Sequence, residues 1–421
     1  MKIYDPLYGH FKLDSTIGLL AREPAVRRLS EVRLLNTSSP SLAALSEMRR
    51  YSHTLGVLRL AEAWCDSGTS NRKVTTRTTM QAAVLLHDAA TPPFGHLFEY
   101  LLREYHGWHH EDNVVPLLQG LSTGLNTAQQ LFAGRRGDFL NQAKKLGLVD
   151  QHIFSILRKE VPISKLIFGT LDLDNIDNVV RMAMGLGLGH YGHLALELAR
   201  QIDVDDQGQL VASSTVRPLV AQWLELRRAC YEILVYDGPT VSAQALLTEA
   251  IEIALAKSSI DVNDWILTDA ELIQRLNQDP EVKPYIHEYL MAESREVAIL
   301  TFDPSCFEQE SASEIKSRIR EVVLRCGVSN PLIHLFRDRG TFSREFSFRH
   351  PDGCGIWHVG EDSRSDVVYV FSRSRIVVRK GMSSVVAEAI ASEIGAEPIH
   401  VGRIRATTKG RGTGDVQSEL F

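Results

Sequence analysis

A mainly α-helical protein with a small α/β lobe at its C-terminal end is what this sequence predicts, on three observations. Apolar residues recur at helical spacing in one segment after another between about residues 15 and 290. Alternating or continuous apolar runs of strand length gather after about residue 295. The chain, at 421 residues, exceeds what one typical core organises, which fits a large domain plus a smaller unit.

Taken in order, Tyr4 to Leu13 alternates apolar and polar residues around Pro6 and Gly9 and predicts a short hairpin or extended entry. Pro24 to Leu35 places Val26, Leu29, Val32 and Leu35 at helical spacing, and Ser46 to Trp64 continues the pattern around His53. A polar loop follows at 66–71. Thr79 to His87 predicts a helix whose Ala82 to Leu86 run is buried nearly all round, and Pro92-Pro93 ends it. His96 to Tyr105 resumes as a helix. Leu118 to Gly137, rich in Gly, Thr, Asn and Gln, reads as an inserted loop. Asp172 to Met184 is helical, stopped by the glycine-rich run to His190, and further helices are predicted over 192–202, 214–234, 240–257 and 268–276.

Beyond that, Val297–Phe302, Phe342–His350, Val367–Phe371 and Arg375–Arg379 predict strands, with helices over Ser311–Arg325 and Ser383–Ile394. The predicted organisation is a helical core over residues 1–290, with a candidate metal site within 50–180, a lobe over 291–405 and a disordered tail over 406–421. No internal repeat is visible.

Composition narrows the function classes. A hydrophobic content of 44% with 23% charged residues is ordinary for a soluble globular protein, and a net charge of −6 argues against a protein that coats nucleic acid with its whole surface. No apolar run reaches the roughly 18 residues of a membrane span, and the first residues lack a signal-peptide core, so a cytoplasmic protein with no membrane partner is expected. The five cysteines are scattered without CxxC spacing, which disfavours a disulfide framework or a thiolate zinc site.

The chemistry concentrates between His53 and Asp177. His87-Asp88 closes an apolar run, Pro92-Pro93 follows, and His96 and Glu99 stand three apart, on one helical face. His53 or His87 taken alone reads more naturally as a satisfied core residue. Asp88 changes the balance, because a carboxylate behind a long apolar run is costly to bury unless a cation or strong donors meet it. Asp172, Asp174 and Asp177 share one predicted helix; capping accounts for Asp172 but leaves the deeper two less well explained. Imidazoles with carboxylates suit one divalent ion, among Mn, Mg, Fe, Co, Ni or Zn.

In order, Asp5-Pro6-Leu7-Tyr8-Gly9, Pro24 to Leu34, Arg50-Tyr51-Ser52-His53, His87-Asp88 with Pro92 to Glu99, and Leu171 to Asp177 resemble the HD-domain phosphohydrolases. Within them they resemble the deoxynucleoside-triphosphate triphosphohydrolase, or dGTPase-like, branch. The likeness spans about residues 1–190 and implies an HD-domain helical core. It implies His53, His87, Asp88 and Asp174 as metal ligands and His96 with Glu99 as a catalytic dyad that activates water or stabilises phosphorus. It also implies His110 as proton donor to the leaving oxygen, Arg50 as a polyphosphate contact and Asn178 at the position that reads the sugar. A nucleotide substrate and a homo-oligomer are expected from the same resemblance.

The sequence departs from that branch in three places. Thr91 stands where many relatives have a histidine, Asn175 where a basic residue often follows the last ligand, and Asn178 and Met182 where a tyrosine and an aspartate read the sugar. These departures leave the metal chemistry intact but change the substrate-reading residues. The preferred activity is still metal-dependent hydrolysis of a dNTP to deoxynucleoside plus triphosphate, although a rival phosphoester substrate accounts better for Asn175, Asn178 and Met182. The rival readings are a phosphodiesterase or nuclease on a cyclic nucleotide, dinucleotide or strand end, and a non-catalytic nucleotide- or nucleic-acid-binding protein. The Arg-rich stretch from Lys316 to Arg379, interleaved with Phe342, Phe346, Phe348 and Tyr369, could hold an effector nucleotide or single-stranded nucleic acid, although a lobe edge or subunit interface accounts for it as well. Arg135-Arg136 and Lys144-Lys145 could also reach phosphates, with solvated charge the plainer reading.

Overall fold

The computed structural model describes residues 1–421 except 68–73, 123, 134–137, 292–294, 339, 362, 374–380 and 403–421. The expectations for Arg135-Arg136, for a strand over 375–379 and for the tail lie outside the described residues, as does most of the predicted polar loop.

The helix Arg50–Asp66 is the centre of the molecule: it packs against Val74–Leu86 on one side and against Leu173–Gly185 and Gly192–Gln201 on another. Its middle is buried almost all round, as a helix enclosed by neighbours should be. Arg217–Tyr236 backs Leu173–Gly185, while Gly238–Ala256 packs on His96–His106 and Lys283–Met291. The protein is mainly α, with a helical core and a small sheet-containing C-terminal region.

That region holds a sheet in the order His400–Val401, Arg295–Phe302, Asp366–Ser372, Pro331–Phe336, with antiparallel neighbours throughout. The central strand Asp366–Ser372 is buried on both faces. By the two-residue period, Val367, Tyr369 and Phe371 join the main core, while Val368 and Val370 join a second core under the helices Ala312–Arg325 and Met382–Ile394. The same alternation turns Leu332 and Phe336 toward the helical core and Ile333 and Leu335 toward the lobe's own helices.

A second sheet joins the Glu345–Arg349 and Ile356–Gly360 hairpin to Asp203–Val204 and Leu210–Val211. Trp357 Nε1 donates to the Ala212 carbonyl at 2.9 Å, and Phe346 lies 6.1 Å from Trp223, so this hairpin docks on the helical core.

Several elements differ from the sequence reading. The helix at Pro24 ends at Arg28 and gives way to a 3-10 turn over Leu29–Glu31. Backbone groups beyond it find other partners: Arg33 N donates to Asp269 Oδ2 at 2.9 Å and Leu34 N to the Met48 carbonyl at 2.9 Å. The 118–137 stretch is not all loop, since Thr127–Ala133 is helical. Pro331–Phe336 and Ile356–Gly360 are strands absent from the sequence reading. The glycine-rich run does stop its helix, which ends at Gly185.

Candidate metal centre

Arg50 and His53 lie in the first turn of Arg50–Asp66, and Asp174 in the first turn of Leu173–Gly185. Asp172 caps that second helix, accepting from Asn175 N at 2.7 Å, and Asn175 Nδ2 donates to the same oxygen at 3.0 Å. The two helices approach closely because residue 56 is glycine. A Cβ there would lie 2.1 Å from Asp177 Oδ1 and 2.2 Å from Arg181 Nη2.

His87 and Asp88 follow directly on the helix Val74–Leu86, in a turn whose carbonyls are held from behind. The fully buried Arg28 guanidinium donates to the carbonyls of Ala89, Thr91 and Leu267, and burial lowers its pKa to about 10. Phe94 and Gly95 both adopt positive φ, and Phe94 N donates to Asp269 Oδ1 at 2.9 Å. A side chain at Gly95 would meet Arg50 Nη2 at 2.8 Å. The Pro-Pro turn is thus fixed from both sides, and His96 opens the next helix immediately after it.

The ligand atoms of His53, His87, Asp88 and Asp174 all lie within 4.8 Å of one another. His53 Nε2 is 2.7 Å and His87 Nε2 3.3 Å from Asp174 Oδ1. Each imidazole commits its other nitrogen as a donor: His53 Nδ1–H to Asp177 Oδ2 at 2.7 Å, His87 Nδ1–H to the Val84 carbonyl at 2.6 Å. Both Nε2 atoms are therefore presented to a common point, the tautomer that a metal-binding histidine needs. Asp88 Oδ2 accepts from Arg50 Nη1 at 3.1 Å and Oδ1 from the Thr91 hydroxyl at 2.9 Å.

The electrostatics show a site built around positive charge. Burial works against ionising Asp88, yet Arg50 and His87 hold its carboxyl well below the usual range. Burial likewise opposes Asp174, but its hydrogen bonds from His53 and His87 lower it strongly. Against the same burial penalty, Asp174 and Asp177 raise His53 to about 9. The Nε2 atoms of His53 and His87 both approach Asp174 Oδ1, and a divalent cation would be held between these groups. The donor set, two imidazoles with two carboxylates, fits such an ion without naming which one.

Beside this cluster stand His96, Glu99 and His110. Glu99 bridges the two imidazoles, with Oε2 2.9 Å from His96 Nδ1 and Oε1 2.6 Å from His110 Nδ1. His110 N donates to the same Oε1 at 3.2 Å. Burial opposes its ionisation, but both imidazoles drive Glu99 far below the ordinary carboxylate range. His110 is buried with Nε2 4.0 Å from Asp88 Oδ1, whereas the His96 side chain is 63% exposed. The His110 ring faces the candidate metal cluster, and the His96 ring faces an open cleft.

That cleft has two chambers. The inner one, about 260 Å³, opens on Arg50, His53 and Asp174 and continues past Asn178 and Met182 to Tyr231, Phe336 and Tyr369. The outer one, about 470 Å³, runs along Leu97, Tyr100 and Tyr105 to Lys316 and Arg337. Asn36, His96, Gln244, His334 and Phe336 line both. The lobe strand Pro331–Phe336 is therefore one wall of the cleft.

Other residues take part that sequence reasoning left without a role. Asp177 also receives Arg181 through two hydrogen bonds, at 2.8 and 3.0 Å, and the Tyr8 hydroxyl at 2.7 Å. Arg181 Nη2 reaches Asp5 Oδ2 at 3.2 Å, so the quoted Asp5-to-Gly9 motif supplies the support behind His53. Its position in that motif was the available signal. His334 and Gln244 carried none beyond a polar residue inside an apolar run.

Among the described residues, arginines of the C-terminal stretch have partners of their own. Arg318 meets Glu310, Arg320 Glu249, Arg325 Glu393, Arg349 Asp205 and Arg373 Glu288, while Arg337 donates to the Phe307 and Glu310 carbonyls. Phe346, Phe348 and Tyr369 are buried, and Arg339, Arg375 and Arg379 lie outside the described residues. No helix among the described residues is long and apolar enough to cross a membrane.

Comparison with known proteins adds three findings. Residues 50–147 match the family model described as HD domain. The chain is 24% identical over 251 residues to the uncharacterized protein YwfO of Bacillus subtilis (strain 168), covering 59% of this chain and 54% of that protein. It thus spans about half the length of that curated relative. Its fold is similar to that of the phosphohydrolase BT4208 from Bacteroides thetaiotaomicron VPI-5482, with TM-score 0.61, 16% identity, and 88% of this chain and 99% of that one covered.

Proposed function

We propose that this chain is a metal-dependent phosphohydrolase that converts a deoxynucleoside triphosphate to the deoxynucleoside and triphosphate. The observation that carries the reading is the His53, His87, Asp88, Asp174 cluster opening onto a cleft beside the Glu99-bridged histidines. The HD-domain match over 50–147 and the fold shared with a phosphohydrolase support the hydrolase class. The dNTP substrate rests on the sequence resemblance. A cytoplasmic homo-oligomer remains part of the same proposal, with an effector nucleotide or single-stranded nucleic acid at the lobe.

A bound divalent ion would supply Lewis-acid polarisation of a phosphoryl oxygen and a more acidic water. The residues do the rest. His53, His87, Asp88 and Asp174 would hold the ion; Asp177 fixes the ring of His53, and the Val84 carbonyl that of His87. Arg50, whose head lines the inner chamber, sets the orientation of Asp88 and offers charge to a phosphate. Water oxygen adds to the α-phosphorus, the bond from phosphorus to the 5′-oxygen breaks, and that oxygen takes a proton while the water gives one up to solvent.

The exposure of the two rings distributes their roles. His96, anchored by Glu99 through Nδ1, keeps Nε2 free on the cleft side, where a leaving oxygen would emerge. His110 stands behind it on the cluster side, raised in pKa by Glu99 against the burial penalty, and serves as a cation toward a phosphoryl oxygen. The sequence reading gave the leaving-group proton to His110; burial of His110 and exposure of His96 favour the exchange.

Phosphodiester hydrolysis is the second reading, favoured by a cleft that continues past His96 into a larger chamber. Chromatography of products from each dNTP, incubated singly and mixed with Mn, Mg or Co, separates the two. Deoxynucleoside with intact triphosphate supports the first reading. Inert dNTPs together with cleavage of a dinucleotide would replace it by the second.

A further inference from the structure

Asn36, Gln244 and His334 stand together where the two chambers meet, and they come from three separate parts of the chain. Asn36 lies between the first helices, Gln244 is in the helix Gly238–Ala256, and His334 is in the lobe strand Pro331–Phe336. All three are half-buried, and none makes a side-chain hydrogen bond among the described residues. The contrast with the surrounding groups is sharp. Arg28, Asp88, Asp177 and Arg181, all buried nearby, have two or more partners each. Half-buried polar groups that converge without partners inside a cleft are what a polar ligand satisfies.

Their chemistry says what kind of ligand. A carboxamide presents both a donor and an acceptor, and so does a neutral imidazole. His334 is neutral, because burial and the nearby Lys316 lower its pKa to about 3. Three uncharged groups do little for a phosphate, which calls for cations. They match the mixed donor and acceptor edge of a nucleobase. Phe336, on the same strand face as His334 and lining both chambers, offers an aromatic surface to a flat ring. Leu34, Leu35, Leu234 and Val241 add apolar surface to the walls of the inner chamber.

We propose that the base of the substrate nucleotide is read at this junction by Asn36, Gln244 and His334, with Phe336 against its face. The lobe strand Pro331–Phe336 is then a specificity element of the active site. This inference rests on the nucleotide-hydrolase reading given above.

The test compares KM and kcat for dATP, dCTP, dGTP and dTTP in wild-type protein, His334→Ala, His334→Gln and Gln244→Ala. Loss of one neutral hydrogen bond to the base raises KM for the favoured dNTP by about three- to tenfold relative to the others. His334→Gln, which keeps a donor and an acceptor and guards against misfolding of the alanine variant, recovers part of that discrimination. Calorimetric binding of the plain deoxynucleosides to Asp88→Ala protein, alone and combined with His334→Ala, reads the same contact without turnover. Unchanged base ranking and KM in the His334 and Gln244 variants would overturn the inference. If wild-type protein hydrolyses no dNTP, the hydrolase reading fails, and calorimetry still decides the base site. Deoxynucleoside affinity lost with His334 supports it, and no deoxynucleoside binding at all overturns it.

Discussion

His53 Nδ1 lies 2.7 Å from Asp177 Oδ2, although the two residues are 124 positions apart. This bond fixes the imidazole so that Nε2 faces Asp174, and Asp177 is itself pinned by Arg181 and Tyr8. The ring therefore cannot turn without disturbing a buried ion pair. A carboxylate placed behind a metal-binding histidine also makes it a better donor. The arrangement ties the geometry of the cluster to the packing of the opening hairpin, since Arg181 also reaches Asp5.

Replacing Asp177 by Asn should weaken metal binding by about 10- to 100-fold, the usual cost of losing such a support. It also leaves Arg181 short of a counter-charge in the core, where breaking a buried pair costs about 3–5 kcal/mol. The retained Asp5 contact puts the expected loss near the low end. Metal titration followed by calorimetry, with denaturant unfolding of the metal-free protein, measures both. Wild-type affinity in the variant would show that Asp177 does not position His53.

Gly56→Ala introduces one methyl where none fits. Its Cβ would stand within 2.2 Å of Arg181 Nη2 and 2.1 Å of Asp177 Oδ1, so the helices must part or the ion pair must move. Overpacking of this kind costs about 1–3 kcal/mol. A lower unfolding midpoint together with weaker metal binding is expected; a midpoint equal to wild type would mean the helices separate freely.

His96→Ala should abolish turnover by about 10²- to 10⁴-fold, the range for removing a positioned proton donor, while the metal stays bound. His96 touches none of the candidate ligands, and its ring is largely exposed. Metal content by atomic emission and product formation are read on the same sample. Loss of the metal along with activity would place His96 among its ligands instead.

The pH dependence follows from Glu99. Glu99 raises the pKa of His110 against the burial penalty, so the imidazolium persists below that raised value and is lost as pH climbs through it. Activity should accordingly fall on an alkaline limb above the ordinary imidazole range. Glu99→Gln removes the strongest upward influence and leaves burial opposed by Asp88 and Glu111, which moves that limb to lower pH. A limb unmoved in the variant would detach it from His110.

The helical core and the ligand candidates were legible because their signals are local. A 3.6-residue period, the His87-Asp88 pair behind an apolar run and the Pro92-Pro93 break all sit within short windows. Asp172 as a cap was equally readable. The role of Asp177 was not, since its partners Tyr8, His53 and Arg181 meet only after folding. The strand Pro331–Phe336 escaped notice because a single His334 interrupts a short apolar run, and its use as a cleft wall depends on packing against Gly238–Ala256. The helix at Pro24 ended early for a comparable reason: Asp269, far along the chain, accepts the Arg33 N–H.

The most direct test measures metal stoichiometry and dNTP hydrolysis together, in wild-type protein and in Asp174→Ala. One divalent ion per chain is expected in the wild type, with release of deoxynucleoside and triphosphate in proportion to bound metal, and neither in the variant. Hydrolysis by fully metal-free protein, or full metal occupancy and turnover in Asp174→Ala, would overturn the metal-dependent hydrolase reading.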